Sequence, residues 1–209
     1  MIIHDVQQGS GEWLALRAGI PTASAFDQII TSKWKVRTGN MPETYMDLLA
    51  AEQLLGEPLD DFSTSFTERG QLLEADAIPW YEMTQDVDVE RVGFITNDEK
   101  TVGCSPDGLV GKYGMIEIKA PAALTKSAAY MKAIRSDEAD AAEPYHVQVH
   151  GELWVTGREW CDLIFYHSRL PKRIIRIHRD EAIIEKIKSG VLPLSARLVG
   201  VVERVRAMM

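Results

Sequence analysis

Residues 102–121, Val-Gly-Cys-Ser-Pro-Asp-Gly-Leu-Val-Gly-Lys-Tyr-Gly-Met-Ile-Glu-Ile-Lys-Ala-Pro, constrain this chain more than any other stretch. Gly111 and Gly114 bracket a tight turn between two short apolar runs, so the stretch reads as a β-hairpin closed by a glycine-containing loop. With Lys112 and Tyr113 as a two-residue loop, Glu117 falls opposite Gly108 and one position from Asp107, and cross-strand neighbours lie about 5 Å apart. Side chains alternate faces along a strand, which puts Glu117 and Lys119 on one side and Ile116 and Ile118 in apolar packing. Two carboxylates and a lysine therefore converge.

Hard oxygen ligands of this kind hold Mg²⁺ or Mn²⁺, and such a metal activates water and neutralises charge on a transferring phosphoryl group. The trio thus suits phosphodiester hydrolysis. Lys119 either acts as a general base, its pKa lowered by neighbouring cations, or orients water and stabilises the extra negative charge of the transition state. A second reading keeps these residues structural, with Asp107 as the turn residue of Pro-Asp-Gly and Glu117 and Lys119 on the solvent face of an amphipathic strand. An aspartate followed by Glu-x-Lys is a pattern that many strands match.

The length of 209 residues fits one domain, residues 1–209, with a sizeable core. The N-terminus lacks a basic-then-apolar signal pattern and no apolar run approaches a membrane span, so a cytoplasmic protein is expected. Cys104 and Cys161 have no C-x-x-C partner. They imply neither a disulfide framework nor a zinc or iron–sulfur cluster, and are expected reduced and buried. The net charge of −8 argues at first against a nucleic-acid partner. Residues 43–99, however, hold 15 acids and 2 bases, leaving 16 acids and 21 bases elsewhere. Outside that acidic belt, Lys33, Lys35, Arg37, Lys126, Lys132, Arg135, Arg169, Lys172, Arg173, Arg176 and Arg179 are candidate DNA-facing groups, each equally readable as solvated surface.

Residues 8–17 pass from turn residues into helical spacing, with Trp13, Ala15 and Leu16 as an apolar face. Ser24 precedes a second helical run, and Asp27 three residues on gives a start resembling a capping box. Simple N-capping is one account. The other is an anion site formed by Ser24, Thr22 and the N–H groups of the helix start, with Arg17 as a charged clamp. Residues 45–55 read as a helix ended by Gly56, and residues 66–81 as another, kinked at Pro79. Residues 87–96 alternate as one strand, and 136–143 read as a mobile acidic loop. On a helix starting near Pro144, Tyr145, Gln148 and Glu152 share one face, while His146 and His150, expected at the surface or an interface, share another. Residues 160–167 and 174–178 read as paired strands, and 180 onward as a helix.

The strings S-P-D-G and I-E-I-K-A-P resemble the core motif of the lambda exonuclease and YqaJ-type viral recombinase family. Q-G-S-x-x-W-x-x-L-R-x-G-x-x-T-A-S at residues 8–24, G-x-x-x-E-x-x-A-x-x-x-Y at 70–81 and Q-V-x-x-x-L-W-V-T-G at 148–157 resemble it too. The resemblance implies an α/β restriction-endonuclease-like core with a mixed central sheet flanked by helices. It implies that Asp107 and Glu117 bind metal with the Ile118 carbonyl as an extra ligand, that Glu74 is a third carboxylate near the metals, and that Gln148 lies beside the active site. Arg17 and Ser24 would engage the DNA phosphate at the 5′ end. The activity implied is Mg²⁺-dependent 5′-to-3′ exonuclease action on duplex DNA in phage-type recombination, by a ring-shaped trimer working with a single-strand annealing protein. A site- or structure-specific endonuclease of the same fold, or a non-catalytic DNA-binding partner, are the alternatives.

Overall fold

The computed structural model describes residues 1–59, 68–120 and 124–209, without the side chains of residues 68–75 and 124–126. Along the chain come β1 (Ile2–His4), α1 (Gly11–Arg17), a 3-10 helix (Ala23–Gln28), α2 (Asn40–Leu55) and α3 (Glu68–Gln85). Then follow β2 (Val89–Glu90), β3 (Phe94–Thr96), β4 (Gly103–Cys104), β5 (Gly108–Val110) and β6 (Gly114–Lys119). After them stand α4 (Leu124–Arg135), α5 (Glu138–Ala142), a 3-10 turn (Glu143–Tyr145), α6 (His146–Thr156), β7 (Trp160–Phe165), β8 (Arg173–His178) and α7 (Glu181–Arg206).

Five strands form a mixed sheet in the order β2-β5-β6-β7-β8, in which β6 and β7 run parallel and the other neighbours antiparallel. A second, three-stranded sheet has the order β1-β3-β4. The parallel pair is joined through α4, α5 and α6, the helical crossover that parallel strands require. Alternation along β6 divides its residues between two cores. Ile116 and Ile118 pack with Ile164 of β7 and with Ala77, Ile78 and Tyr81 of α3. Met115 packs on the other face with Leu163 of β7, Val149 and Leu153 of α6 and Ile187 and Val191 of α7. Each such buried side chain contributes about 1.5–3 kcal/mol, and a strand covered on both faces is typical of parallel pairing. On the α3 side a polar group is buried as well. Asp162 of β7, 1% exposed, accepts from Tyr81 Oη at 2.6 Å and from two nitrogens of Arg176 at 2.8 Å each.

Several expectations are corrected. The hairpin loop has three residues, Gly111, Lys112 and Tyr113, because Gly111 adopts a left-handed φ of +51°; Gly108 therefore pairs with Ile116 and not with Glu117. The single strand expected over residues 87–96 is two strands in different sheets. At the break, a Cβ on Gly93 would stand 2.0 Å from the Val6 carbonyl oxygen, so only glycine admits the crossing N-terminal segment. Helix α3 runs through Pro79 to Gln85, held by its apolar contacts with the sheet. Residues 138–142 form a helix where a mobile loop was expected, capped by Asp137, whose side chain accepts from Asp140 N. In α1 it is Arg17, not Ala15, that joins Trp13 on the buried face. His150 is buried and His146 half-buried; their rings stack at 5.6 Å with Trp34 against both. Cys104 and Cys161 are free and buried.

Candidate active site

The hairpin β5–β6 carries the expected carboxylates. Asp107 lies just before β5, where its N–H donates to the Ile116 carbonyl at 3.2 Å and its Oδ2 accepts from Ile118 N at 2.5 Å. It is thereby bonded to the residues on either side of Glu117. Glu117 is 6% exposed, so it does not stand on a solvent face. Its Oε1 accepts from Lys119 Nζ at 2.8 Å and from Gln148 Nε2 at 2.7 Å, and Lys119 Nζ also donates to Gln148 Oε1 at 3.0 Å. The ring of Tyr145 lies 4.9 Å from Lys119 Nζ. Burial alone would lower the Lys119 ammonium, but the carboxylates of Glu117, Glu152 and Asp107 outweigh it and hold the group above the ordinary lysine range. Without a metal, Lys119 is thus a protonated donor beside Glu117.

These residues fit a hard divalent cation. Among the described residues no donor reaches Glu117 Oε2, a buried carboxylate oxygen. An anionic oxygen left this way is costly unless a cation supplies the missing contact. Asp107, Glu117 and the Ile118 carbonyl would hold it. Among the described residues no group of three His, Cys, Asp or Glu side chains is arranged for a metal, and the Glu74 side chain on α3 lies outside the described residues.

The N-terminal residues form a second locus joined to the first. Arg17, 9% exposed, sits 4.3 Å over the Trp13 ring and donates through Nη1 to Ser105 Oγ at 3.2 Å and through Nη2 to Ser24 Oγ at 3.5 Å. Trp13 Nε1 donates to the same Ser105 hydroxyl at 2.9 Å. Burial pushes the Arg17 guanidinium down to about 10, against the field of Tyr45, Cys104, Glu52 and Glu152, which leaves it charged at neutral pH. Thr22 precedes a 3-10 helix, not an α-helix, and its Oγ1 lies 3.3 Å from Ser24 Oγ; Ser24 is within that helix rather than its cap. From α2, Glu52 Oε2 accepts from Gly19 N at 2.7 Å, Gln53 Nε2 donates to Gly19 O at 2.6 Å, and Tyr45 Oη accepts from Thr22 N at 3.3 Å. The result is a cleft of about 220 Å³ lined by Arg17, Thr22, Ser24, Gln28, Tyr45 and Glu52, among others.

Ser105, Glu52 and Glu152 escape sequence reasoning as members of these loci. Ser105 stands within the S-P-D string, and Glu152 lies one helical turn from Gln148, so both carried a positional signal. Glu52 shares the buried face of α2 with Tyr45 and Leu49, where an acid is anomalous. Several of the proposed DNA-facing cations have structural partners. Arg37 bonds Asp27 O, Arg173 bonds Ala133 O and Ser136 O, Arg176 bonds Asp162, and Arg179 bonds Leu153 O and Glu181. Lys172 lies over Trp80 and Tyr166. Lys33, Lys35, Lys132, Arg135 and Arg169 are exposed, and the Lys126 side chain lies outside the described residues.

A mixed sheet flanked by helices, with an aspartate just before one strand and a Glu-x-Lys on the strand beside it, defines a restriction-endonuclease-like nuclease, and this chain is an enzyme of that class. The family model described as YqaJ-like viral recombinase domain matches residues 12–159, and the chain belongs to that family. Among solved structures it is similar to the alkaline exonuclease LHK-Exo from Laribacter hongkongensis, with 31% identity and a TM-score of 0.78 over 95% of this chain and 97% of that one. LHK-Exo in complex with dAMP gives 30% identity, a TM-score of 0.79 and the same coverage. A phage related exonuclease from Haemophilus somnus 129PT shares the fold at 17% identity, with a TM-score of 0.68 over 89% of this chain and 96% of that one. No curated protein sequence matches the chain. Among the described residues no helix is long and apolar enough to cross a membrane.

Proposed function

We propose that this protein is a phage-type exonuclease whose one domain, residues 1–209, degrades one strand of duplex DNA from a 5′-phosphorylated end in a Mg²⁺-dependent reaction. The observation that carries this reading is the shared hydroxyl of Ser105. It bonds Arg17 of the cleft and lies two residues from Asp107, so a terminal phosphate held by Arg17 would present a nearby diester to the carboxylates. That LHK-Exo forms a complex with dAMP, a mononucleotide, accords with stepwise removal from an end. A ring-shaped homotrimer and a single-strand annealing partner belong to the same reading, on the family resemblance.

Asp107, Glu117, the Ile118 carbonyl and Glu74 would hold Mg²⁺ or Mn²⁺. When bound, the metal would supply activation of water and neutralisation of phosphoryl charge. Lys119, protonated and anchored by Gln148, would donate to the phosphoryl oxygens as charge accumulates on them. Lys119→Ala is therefore expected to lose most turnover while calorimetry shows Mg²⁺ bound at least as well as by the parent, because a protonated lysine is no ligand. Parental hydrolysis by this variant would return Lys119 to a structural role.

Linear duplexes labelled at either end, incubated with and without Mg²⁺, test the polarity and the metal requirement; cleavage of covalently closed circles would favour an endonuclease. The 5′-phosphate is tested separately. A terminal phosphate carries a charge near −2 against −1 for an internal diester, and charge-assisted contacts contribute roughly 1.5–3 kcal/mol, about tenfold to a hundredfold in rate. Duplex with 5′-phosphate ends should be degraded faster than 5′-hydroxyl duplex, and Arg17→Ala should shrink that difference. Initial rates on both substrates for both proteins form a cycle that isolates the coupling. Equal slowing of both substrates would make Arg17 structural.

A further inference from the structure

Glu152 stands on α6 one turn beyond Gln148, 1% exposed, with its Oε1 accepting from Gln148 Nε2 at 2.9 Å. Among the described residues no donor reaches its Oε2. We infer that Glu152 is a positioning residue that fixes the orientation of the Gln148 amide and, through it, the placement of Lys119 and Glu117. This rests on the reading of Gln148 as part of the site.

A primary amide has chemically opposite ends, an acceptor oxygen and a nitrogen with two donors. Lys119 Nζ can only donate and takes the Oε1 end at 3.0 Å, while Glu117 Oε1 accepts from the Nε2 end at 2.7 Å. One N–H remains, and Glu152 receives it. Half a turn of the amide would set nitrogen against the ammonium and oxygen against the Glu117 carboxylate, making two attractive contacts repulsive together. Glu117 and Lys119 are the groups that would re-engage when metal and DNA bind, so their hold on the amide is not constant through the reaction. Glu152 belongs to the same helix as Gln148 at spacing i, i+4, and its contact does not depend on either. An acceptor at this position therefore keeps the amide oriented while its other partners exchange.

The test compares kcat and KM for the parent, Gln148→Leu, Glu152→Leu, Glu152→Gln and the double leucine variant, with melting curves for each. Glu152→Leu is expected to lower kcat about tenfold with KM within about twofold, the size of one buried hydrogen bond realised in turnover. Glu152→Gln retains an acceptor oxygen and should recover most of that loss. The double variant should be no slower than Gln148→Leu alone, because Glu152 acts only through Gln148. In metal-free protein, the side-chain amide resonances of Gln148 should move in Glu152→Leu and return in Glu152→Gln. A slow Gln148→Leu beside a Glu152→Leu of parental kcat, or unmoved Gln148 resonances, overturns the inference while leaving the reading of Gln148 intact. Parental kcat for Gln148→Leu overturns both. If the leucine variant does not fold, Glu152→Met takes its place in every comparison.

Discussion

Glu117→Ala should lower turnover by about a thousandfold or more, at the large end of what one preorganised electrostatic group contributes. The side chain is the hub of the site, bonded to Lys119 and Gln148 and set among the backbone contacts of Asp107. On the proposed reading its loss removes a metal-binding oxygen, and it leaves the lysine without the carboxylate that holds it. The fold should survive. Glu117 shares its surroundings with Glu152 and Asp107, and like charges held close repel, so the metal-free variant should melt no lower than the parent. Lys119, 22% exposed, keeps Gln148 and can reach water. Single-turnover hydrolysis, Mg²⁺ titration and thermal melting on the same preparation check the three parts. Parental turnover would sink the assignment of the carboxylates, and a collapsed melting curve would make Glu117 structural first.

Asp162→Ala should do the reverse, destabilising the protein by about 3 kcal/mol while leaving the chemistry of the folded fraction near the parent. Asp162 faces α3, on the side of the sheet away from Glu117. Its removal takes the acceptor from Tyr81 and from both nitrogens of Arg176. Breaking a fully buried pair costs about 3–5 kcal/mol, and Arg176 is 45% exposed and can rehydrate, which places this case at the low end. The remaining loss is a buried tyrosine hydroxyl without its partner, for which burial and the Asp162 carboxylate now hold the phenol well above the ordinary tyrosine range. Urea denaturation measures the difference, and an unchanged midpoint would show that the network adds nothing.

The two variants divide along the strand parity that was legible in the sequence. Glu117 and Lys119 alternating with two isoleucines announced a strand with chemistry on one face and packing on the other, and β6 is that strand. The loop length was not legible, because glycine at 111 and 114 permits either a two- or a three-residue turn and only the left-handed Gly111 selects between them. The break between β2 and β3 depends on Val6 crossing at Gly93, a contact between distant segments that no local pattern carries. The acidic run 136–143 looked like a loop because its composition is polar, yet Asp137 caps a short helix within it. Arg17, Ser24 and Gln148 were singled out by motif, whereas Ser105, Glu52 and Glu152 matter for which groups they meet in space. The side chain of Glu74 lies outside the described residues, so its place beside the carboxylates rests on the motif alone.

The hydroxyl of Ser105 accepts a hydrogen bond from Arg17 and another from Trp13, and two peptide bonds later comes Asp107. Two residues of fully extended chain span at most about 7 Å. If the guanidinium marks where a strand ends and the carboxylate marks where it is cut, that short covalent link acts as a ruler between them. Such a ruler allows a single increment along the strand, and the product size would be a property of the backbone between Ser105 and Asp107 rather than of the nucleotide sequence passing through.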